Sequence, residues 1–377
     1  FFKGWFSEEA WPIFEPDTDK TNWRENLSKK IIDYFEPQFD TSSKKNVIGE
    51  PCKDIPWLSE AMGFTQLGDS FSEKLKLDTN LFKTNFLNLL KPLKKIDSRI
   101  CFEIIHQAFD QAYRNTKNKQ IKNKTIFYHL HNPDYFEHFN FVKNFKHAKF
   151  LYLMRNPLQM IESWVINDLN NFKNKKNFHE FIELSLSIAN KVCHPFVFLN
   201  NPINSIFRDS IRGVKLEDIK KTPEITIPKI SKWIGISHDK ELYKSEFMSK
   251  KFSRPSYIFN NISGFDLRSI SLPIGRFFGK RDIKIIETLL WPLLRAYNYT
   301  NKSKSEFLND LNDIKPFLNE PMEFELNIHK KYFDNNFIIS EMDSYKMLHQ
   351  CFFEAHRTLS NLKTYPNIIQ PLDNYSS

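Results

Sequence analysis

Glycine is scarce: 9 residues in a chain of 377, well under the ~7% of average usage. Neither a G-x-G-x-x-G nor a G-x-x-x-x-G-K stretch occurs, so the glycine-rich phosphate cradles of dinucleotide-binding and P-loop proteins are excluded. Cysteine is equally sparse. Cys52, Cys101, Cys193 and Cys351 stand singly with no C-x-x-C pair, which argues against a zinc ribbon or a secreted disulfide framework and makes a reducing compartment the default. No spaced ligand cluster implies a metal. Uninterrupted apolar runs are missing too: none approaches the ~18 residues that span a bilayer, because Lys, Asn or Asp breaks every Phe-rich stretch. A soluble, cytoplasmic protein is the expectation. The start, FFKGWFSEEAWPIF, lacks the order of a signal peptide. A bulky Phe1 is not what removal of an initiator methionine leaves, so the expectation is that the true start is missing.

What is present is a basic chain, with 54 Lys and Arg against 45 Asp and Glu, net +9, and a 41% hydrophobic fraction that suffices for a sizeable core. The charge favours an anionic partner: nucleic acid, a membrane surface, or a phosphorylated or sulfated small molecule. The basic residues are spread rather than clustered and no nucleic-acid motif appears, so general nucleic-acid binding ranks last. The Lys/Asn/Ile/Phe skew is what an AT-rich coding sequence produces, and part of the basicity is discounted for it.

Apolar spacing predicts helices over Trp23 to Phe35, Leu81 to Leu93 and Arg99 to Arg114. From Thr125 the pattern changes. TIFYHL (125–130) and KFLYLM (149–154) are short, nearly continuous apolar runs that read as buried strands of a parallel sheet, with a helix between them over Asp134 to Phe145. A helix is expected over Leu158 to Leu169 after Pro157, a third strand at Gly213 to Glu217, and then a helical run from Pro223 closed by Gly235, with Pro228 weakening it. Asp282 to Tyr297 reads as an amphipathic helix kinked at Pro292, and Glu341 to Leu362 as a last helix. Residues 1–299 are expected to form one α/β domain, its motif-bearing core at 125–299, and 300–377 a helical extension.

The most informative segment is AKFLYLMRNPLQMIESW (148–164). A strand ends at Arg155 and a helix starts at Pro157, and in open parallel sheets ligands sit at the carboxyl ends of strands, where helix N-termini offer N–H groups to anions. Ser163 follows Arg155 by two helical turns. A guanidinium and a hydroxyl so placed can close on one phosphate.

A strand, Arg-Asn-Pro, and Ser-Trp eight residues after the Arg resemble the 3′-phosphate-binding motif of PAPS-dependent sulfotransferases. VKLEDIKKTPEITIPKISKWIGI (214–236) is similar to that family's strand, Glu-Asp-Leu, Pro, helix and Phe-Leu-Gly stretch. IGRFFGKRDIKIIETLLWPLLRAYNY (274–299) resembles its Gly-Arg-Trp segment and final helix. The resemblance implies a three-layer α/β sandwich around a central parallel sheet, and transfer of a sulfuryl group from 3′-phosphoadenosine 5′-phosphosulfate (PAPS) to an acceptor hydroxyl or amine. Carbohydrate, lipid, peptide and small-molecule acceptors all stay open. It implies nucleotide contacts from Arg155, Ser163 and Arg276, with Arg268 as an alternative in the same loop. It also implies a general base at His131 in His-Asn-Pro, His129 being a weaker substitute. Glu217 and Asp218 read as strand-end bonding and a helix cap rather than as acid/base groups. Lys173, Lys175 and Lys176 are a basic loop that can face an anionic acceptor. The family's Gly-x-x-Arg/Lys-Ser-Gly-Thr turn for the 5′-phosphosulfate has no counterpart in the chain, and Leu216 stands where an aromatic often precedes Glu-Asp. A missing N-terminal segment and a non-catalytic relative that binds an anionic glycan or nucleotide both account for that departure.

Overall fold

The computed structural model describes residues 21–39, 69, 77–115, 125–127, 141–172, 178–199, 201–244, 246–247, 250–251, 253–254, 262–263, 265, 267, 270–332 and 339–374. The chain divides into two compact units, Phe1–Ala148 with Asp239–Asp266, and Lys149–His238 with Leu267–Ser377.

In the first unit, α1 (Trp23–Phe39), α2 (Thr79–Leu90) and α3 (Ser98–Tyr113) pack in sequence. Trp23, Leu27 and Ile31, spaced by four, make the buried stripe of α1, and Phe82, Phe86 and Leu90 repeat the spacing on α2. Asp78 caps α2 by accepting from Leu81 N at 3.0 Å, and Asp97 caps α3 by accepting from Ile100 N at 2.7 Å. Arg24 Nε donates to Leu90 O at 3.2 Å, satisfying a carbonyl at the C-terminal end of α2. The unit also holds two short antiparallel ladders, Glu246–Phe247 with Lys250–Lys251 and Ser253–Arg254 with Ile262–Ser263.

The second unit carries β1 (Phe150–Met154), α4 (Pro157–Phe172), α5 (Phe178–Leu199), β2 (Ile211–Lys215), α6 (Leu216–Lys221) and α7 (Pro223–Ile234). After these come α8 (Lys280–Leu289), α9 (Trp291–Ala296), α10 (Lys304–Ile314), α11 (Glu323–Tyr332) and α12 (Asp343–Leu362). Strands β1 and β2 pair in parallel, Phe150 opposite Ile211 and Met154 opposite Lys215. The alternation of a strand sends neighbours to opposite faces. Leu151 packs with Val214 beside Trp233 of α7, while the Tyr152 ring meets Phe198 of α5 at 4.8 Å. The main core lies among α4, α5 and α8–α12, with Leu158, Ile161, Val192, Ile286, Phe307 and Phe352 fully or almost fully buried.

The expected layered α/β arrangement is therefore corrected to a coarser one. The described residues are mostly helical around a two-stranded parallel ladder, and a three-layer sandwich with a central sheet is not formed among them. Most apolar residues recur at three and four, so they are buried by helix against helix. The strand expected at 125–130 is described only at 125–127, which are not in a strand, and the rest of it, with the helix expected from Asp134, lies outside the described residues up to Phe141. The third expected strand runs two residues earlier than predicted, because Leu216-Glu217-Asp218 opens α6 with two acids in its first turn. Helix α7 continues through Pro228 and ends at Gly235 with φ +86°. The kink at Pro292 is a full break, α8 ending at Leu289 and α9 starting at Trp291. No helix among the described residues is long and apolar enough to cross a membrane.

Residues 365–373 strap the second unit. Tyr365 OH donates to Leu289 O at 2.7 Å, Ile369 O accepts from Tyr297 OH at 3.0 Å, and Gln370 O accepts from Gly213 N at 3.0 Å, beside a parallel bridge from Gly213 to Pro371. Gly213 leaves no room for a side chain: a Cβ there would lie 1.9 Å from Tyr297 Oη and 3.1 Å from Met154 Cγ. Tyr297 is buried and held by its hydroxyl, so Gly213→Ala is expected to destabilise the fold by about 1–3 kcal/mol. The urea midpoint measures this, and an unshifted midpoint would mean that the Tyr297 ring yields freely.

Candidate functional site

Strand β1 ends at Met154, Arg155 follows it, and α4 begins at Pro157. Pro157 suits the first helical position, where its missing N–H has no partner to lose. Asn156 caps the helix, its Oδ1 accepting from Leu158 N at 3.0 Å and Gln159 N at 3.4 Å. The backbone N–H of Asn156 donates to Glu217 Oε1 at 3.3 Å, and Glu217 Oε2 accepts from Tyr299 OH at 2.7 Å. One carboxylate thus ties the end of β1 to the turn after β2 and to the segment following α9. Burial and the Glu217 charge push the Tyr299 phenol far above its ordinary range, so it acts as a hydrogen-bond donor. Lys215 Nζ lies 5.6 Å over the Tyr299 ring and 3.3 Å from Asp218 Oδ1.

The loop carrying Arg276 is held from below by Glu162, whose side chain is 0% exposed. Glu162 Oε1 accepts from three backbone N–H groups, Gly275 at 3.0 Å, Phe277 at 3.0 Å and Phe278 at 3.2 Å. Its Oε2 faces Arg276 Nε at 3.7 Å. Gly275 adopts φ +90°, a left-handed conformation that glycine takes at no steric cost, and this turns successive N–H groups toward one acceptor. Gln159 Nε2 adds a bond to Leu272 O at 2.5 Å.

On this platform Arg276 Nε donates to Pro273 O at 3.0 Å and Arg276 Nη2 to Ser163 Oγ at 3.1 Å, while Ser163 Oγ donates to Gln159 O at 2.7 Å. Arg276 is near enough to Arg155 for the two positive charges to repel. Burial lowers the Arg155 pKa from its ordinary value, Arg276 lowers it further, and Glu217 and Tyr299 oppose the fall.

Two of the residues singled out in the sequence, Ser163 and Arg276, therefore meet although 113 positions apart, and the third, Arg155, lies within electrostatic range of Arg276. His131, His129, Arg268, Lys173, Lys175 and Lys176 lie outside the described residues. Glu217 bonds at the strand end, as its position indicated, whereas Asp218 pairs with Lys215 instead of capping α6. Glu162 and Tyr299 were not picked out. A signal for Glu162 was available, since it shares the apolar face of α4 with Leu158, Ile161 and Val165. A carboxylate on such a stripe must find buried donors.

Chemically, the Arg276 guanidinium on a rotatable hydroxyl, with the Arg155 charge in electrostatic range, is a donor set suited to a tetrahedral oxyanion. An arriving phosphate can take Arg276 Nη2 and the Ser163 hydroxyl hydrogen, each giving up a neutral partner for a charge-assisted one. Compared with known protein families, curated proteins and solved structures, the chain matches none.

Proposed function

We propose that the second unit binds the 3′-phosphate of an adenine nucleotide at Arg155, Ser163 and Arg276, and that the chain acts as a PAPS-dependent sulfotransferase. The observation that carries this is the 3.1 Å bond from Arg276 Nη2 to Ser163 Oγ beside Arg155. It joins residues from two of the separated stretches that resemble that family. Phosphate chemistry fits the donor set: both guanidinium groups offer paired N–H bonds, and neutralising their mutual repulsion adds to binding.

In the transfer, the acceptor oxygen or nitrogen bonds to sulfur while the bond from sulfur to the 5′-phosphate oxygen breaks. The acceptor proton goes to a base, for which this reading names His131. Arg155, Ser163 and Arg276 hold the far end of the nucleotide and keep it in register. No residue of the chain is assigned to the leaving 5′-phosphate. Because the Gly-x-x-Arg/Lys-Ser-Gly-Thr turn is missing from these 377 residues, a second reading stands beside the first: binding of an anionic nucleotide or glycan without transfer.

Calorimetric titration with 3′-phosphoadenosine 5′-phosphate tests the clamp. Wild type is expected to bind, Arg155→Ala to weaken binding by roughly 10- to 100-fold, the equivalent of one or two bonds to a charged group, and Ser163→Ala by about tenfold or less. No heat with wild type, or equal affinity in all three, sinks the proposal. Turnover with PAPS and a panel of acceptors separates transfer from binding alone.

A further inference from the structure

Cys193 and Cys351 are far apart in sequence and adjacent in the fold. Helices α5 and α12, which carry them, pack along each other in the core of the second unit. One turn beyond Cys193, the Phe196 ring meets Phe352, the neighbour of Cys351, at 5.6 Å and 69°. Cys193 Sγ lies 4.0 Å from the carbonyl oxygen of Met347, the residue one turn before Cys351 on α12. Neither cysteine is in a disulfide. The facing surfaces of the two helices thus bring Cys193 against the turn of α12 that ends at Cys351.

We propose that Cys193 and Cys351 form an oxidation site, at which a low-molecular-weight disulfide such as oxidised glutathione converts the pair to an intrachain disulfide that ties α5 to α12. The two ends differ in access: Cys193 is 5% exposed, whereas Cys351 is half-buried at the rim of the core. Cys351 sulfur attacks oxidised glutathione first. A sulfur–sulfur bond forms between them, the reagent's own breaks, and one glutathione leaves with the proton that Cys351 has lost. Cys193 sulfur then attacks Cys351 sulfur, displacing the second glutathione, which takes the Cys193 proton. Two protein thiols are oxidised and one reagent disulfide is reduced to two thiols. The neighbouring Cys351 thiol and burial push the Cys193 thiol up, so the closing step quickens as pH rises. The inference does not depend on the nucleotide reading.

The test is oxidation of the full chain with glutathione disulfide at about pH 8.5, where more thiolate is available, followed by intact-mass and non-reducing peptide analysis. The expected result is loss of about two mass units, a Cys193 peptide joined to the Cys351 peptide, and reversal by dithiothreitol. Cys193→Ser should instead hold one glutathione on Cys351. If that variant fails to fold, the wild-type map alone decides. Glutathione retained on Cys351 of wild type beside a free Cys193, a link from either to Cys52 or Cys101, or no reaction at either thiol each overturns the proposal.

Discussion

Glu162→Ala is expected to cost the folded state about 3–5 kcal/mol, the usual loss when one partner of a buried charged group is removed. Three backbone donors, on Gly275, Phe277 and Phe278, would lose a fully buried acceptor, and Phe278 is itself buried. Arg276 would lose the counter-charge behind its Nε. Domains are typically stable by only ~5–15 kcal/mol, so this one change removes a large share of the margin. Glu162→Gln keeps an oxygen acceptor and the same volume and is expected to cost less. Urea unfolding of both variants measures the difference. A Glu162→Ala protein within about 1 kcal/mol of wild type would mean that the 275–278 turn holds its shape without the carboxylate.

Stability should also respond to acid through Asp282, and in the direction opposite to an ordinary salt-bridged carboxylate. Its side chain is fully buried at the start of α8, where Oδ1 accepts from Glu323 N at 2.7 Å and Oδ2 from Phe324 N at 2.8 Å, capping α11 from outside. Burial raises its pKa from 3.8 to about 6, outweighing the two N–H bonds that pull it down. Between those values the folded chain holds a proton that the unfolded chain releases, so this contribution is present at the acid end and is lost as pH rises through about 6. A two-unit shift corresponds to about 3 kcal/mol. Asp282→Asn does not titrate. Its cost relative to wild type is therefore expected to be largest near pH 4 and to shrink by up to about 3 kcal/mol by pH 7. A cost that grows with pH instead would show that the bonds from residues 323 and 324 dominate over burial.

Helices with a clear apolar stripe were legible in the sequence to within a few residues: α3 against Arg99 to Arg114, α4 against Leu158 to Leu169, α12 against Glu341 to Leu362. Each buries a face against another helix, so local periodicity and tertiary packing agree. The short strand at 149–154 was legible for a similar reason, being apolar throughout and stopped by Arg-Asn-Pro. Of the expected sheet, the described residues hold the parallel pair β1 and β2. Nothing local in a run such as 125–130 says whether a strand lies beside it, and Ile126 and Phe127 are exposed. At the site, Arg155 and Ser163 were visible because the strand end and helix spacing place them two turns apart. Glu162 and Tyr299 act across 113 and 82 positions, and partners at such separations are fixed by the closed chain, which no window of neighbouring residues contains. The thiol pair went unseen for the same reason.

The 365–373 strap bears on the order in which the second unit can assemble on the ribosome. Strand β2 receives its outer backbone partner from Gln370, and Val214 and Trp233 share a cluster with Leu372. Lys229 waits for Asp373, 2.6 Å away in the finished fold. The ladder is therefore translated more than 150 residues before the segment that seals its edge. During that interval the edge of β2 that Gln370 later covers is a template for mispairing. Such sequence-distant closure also slows folding, so chaperone engagement should concentrate in the window before residue 373 emerges.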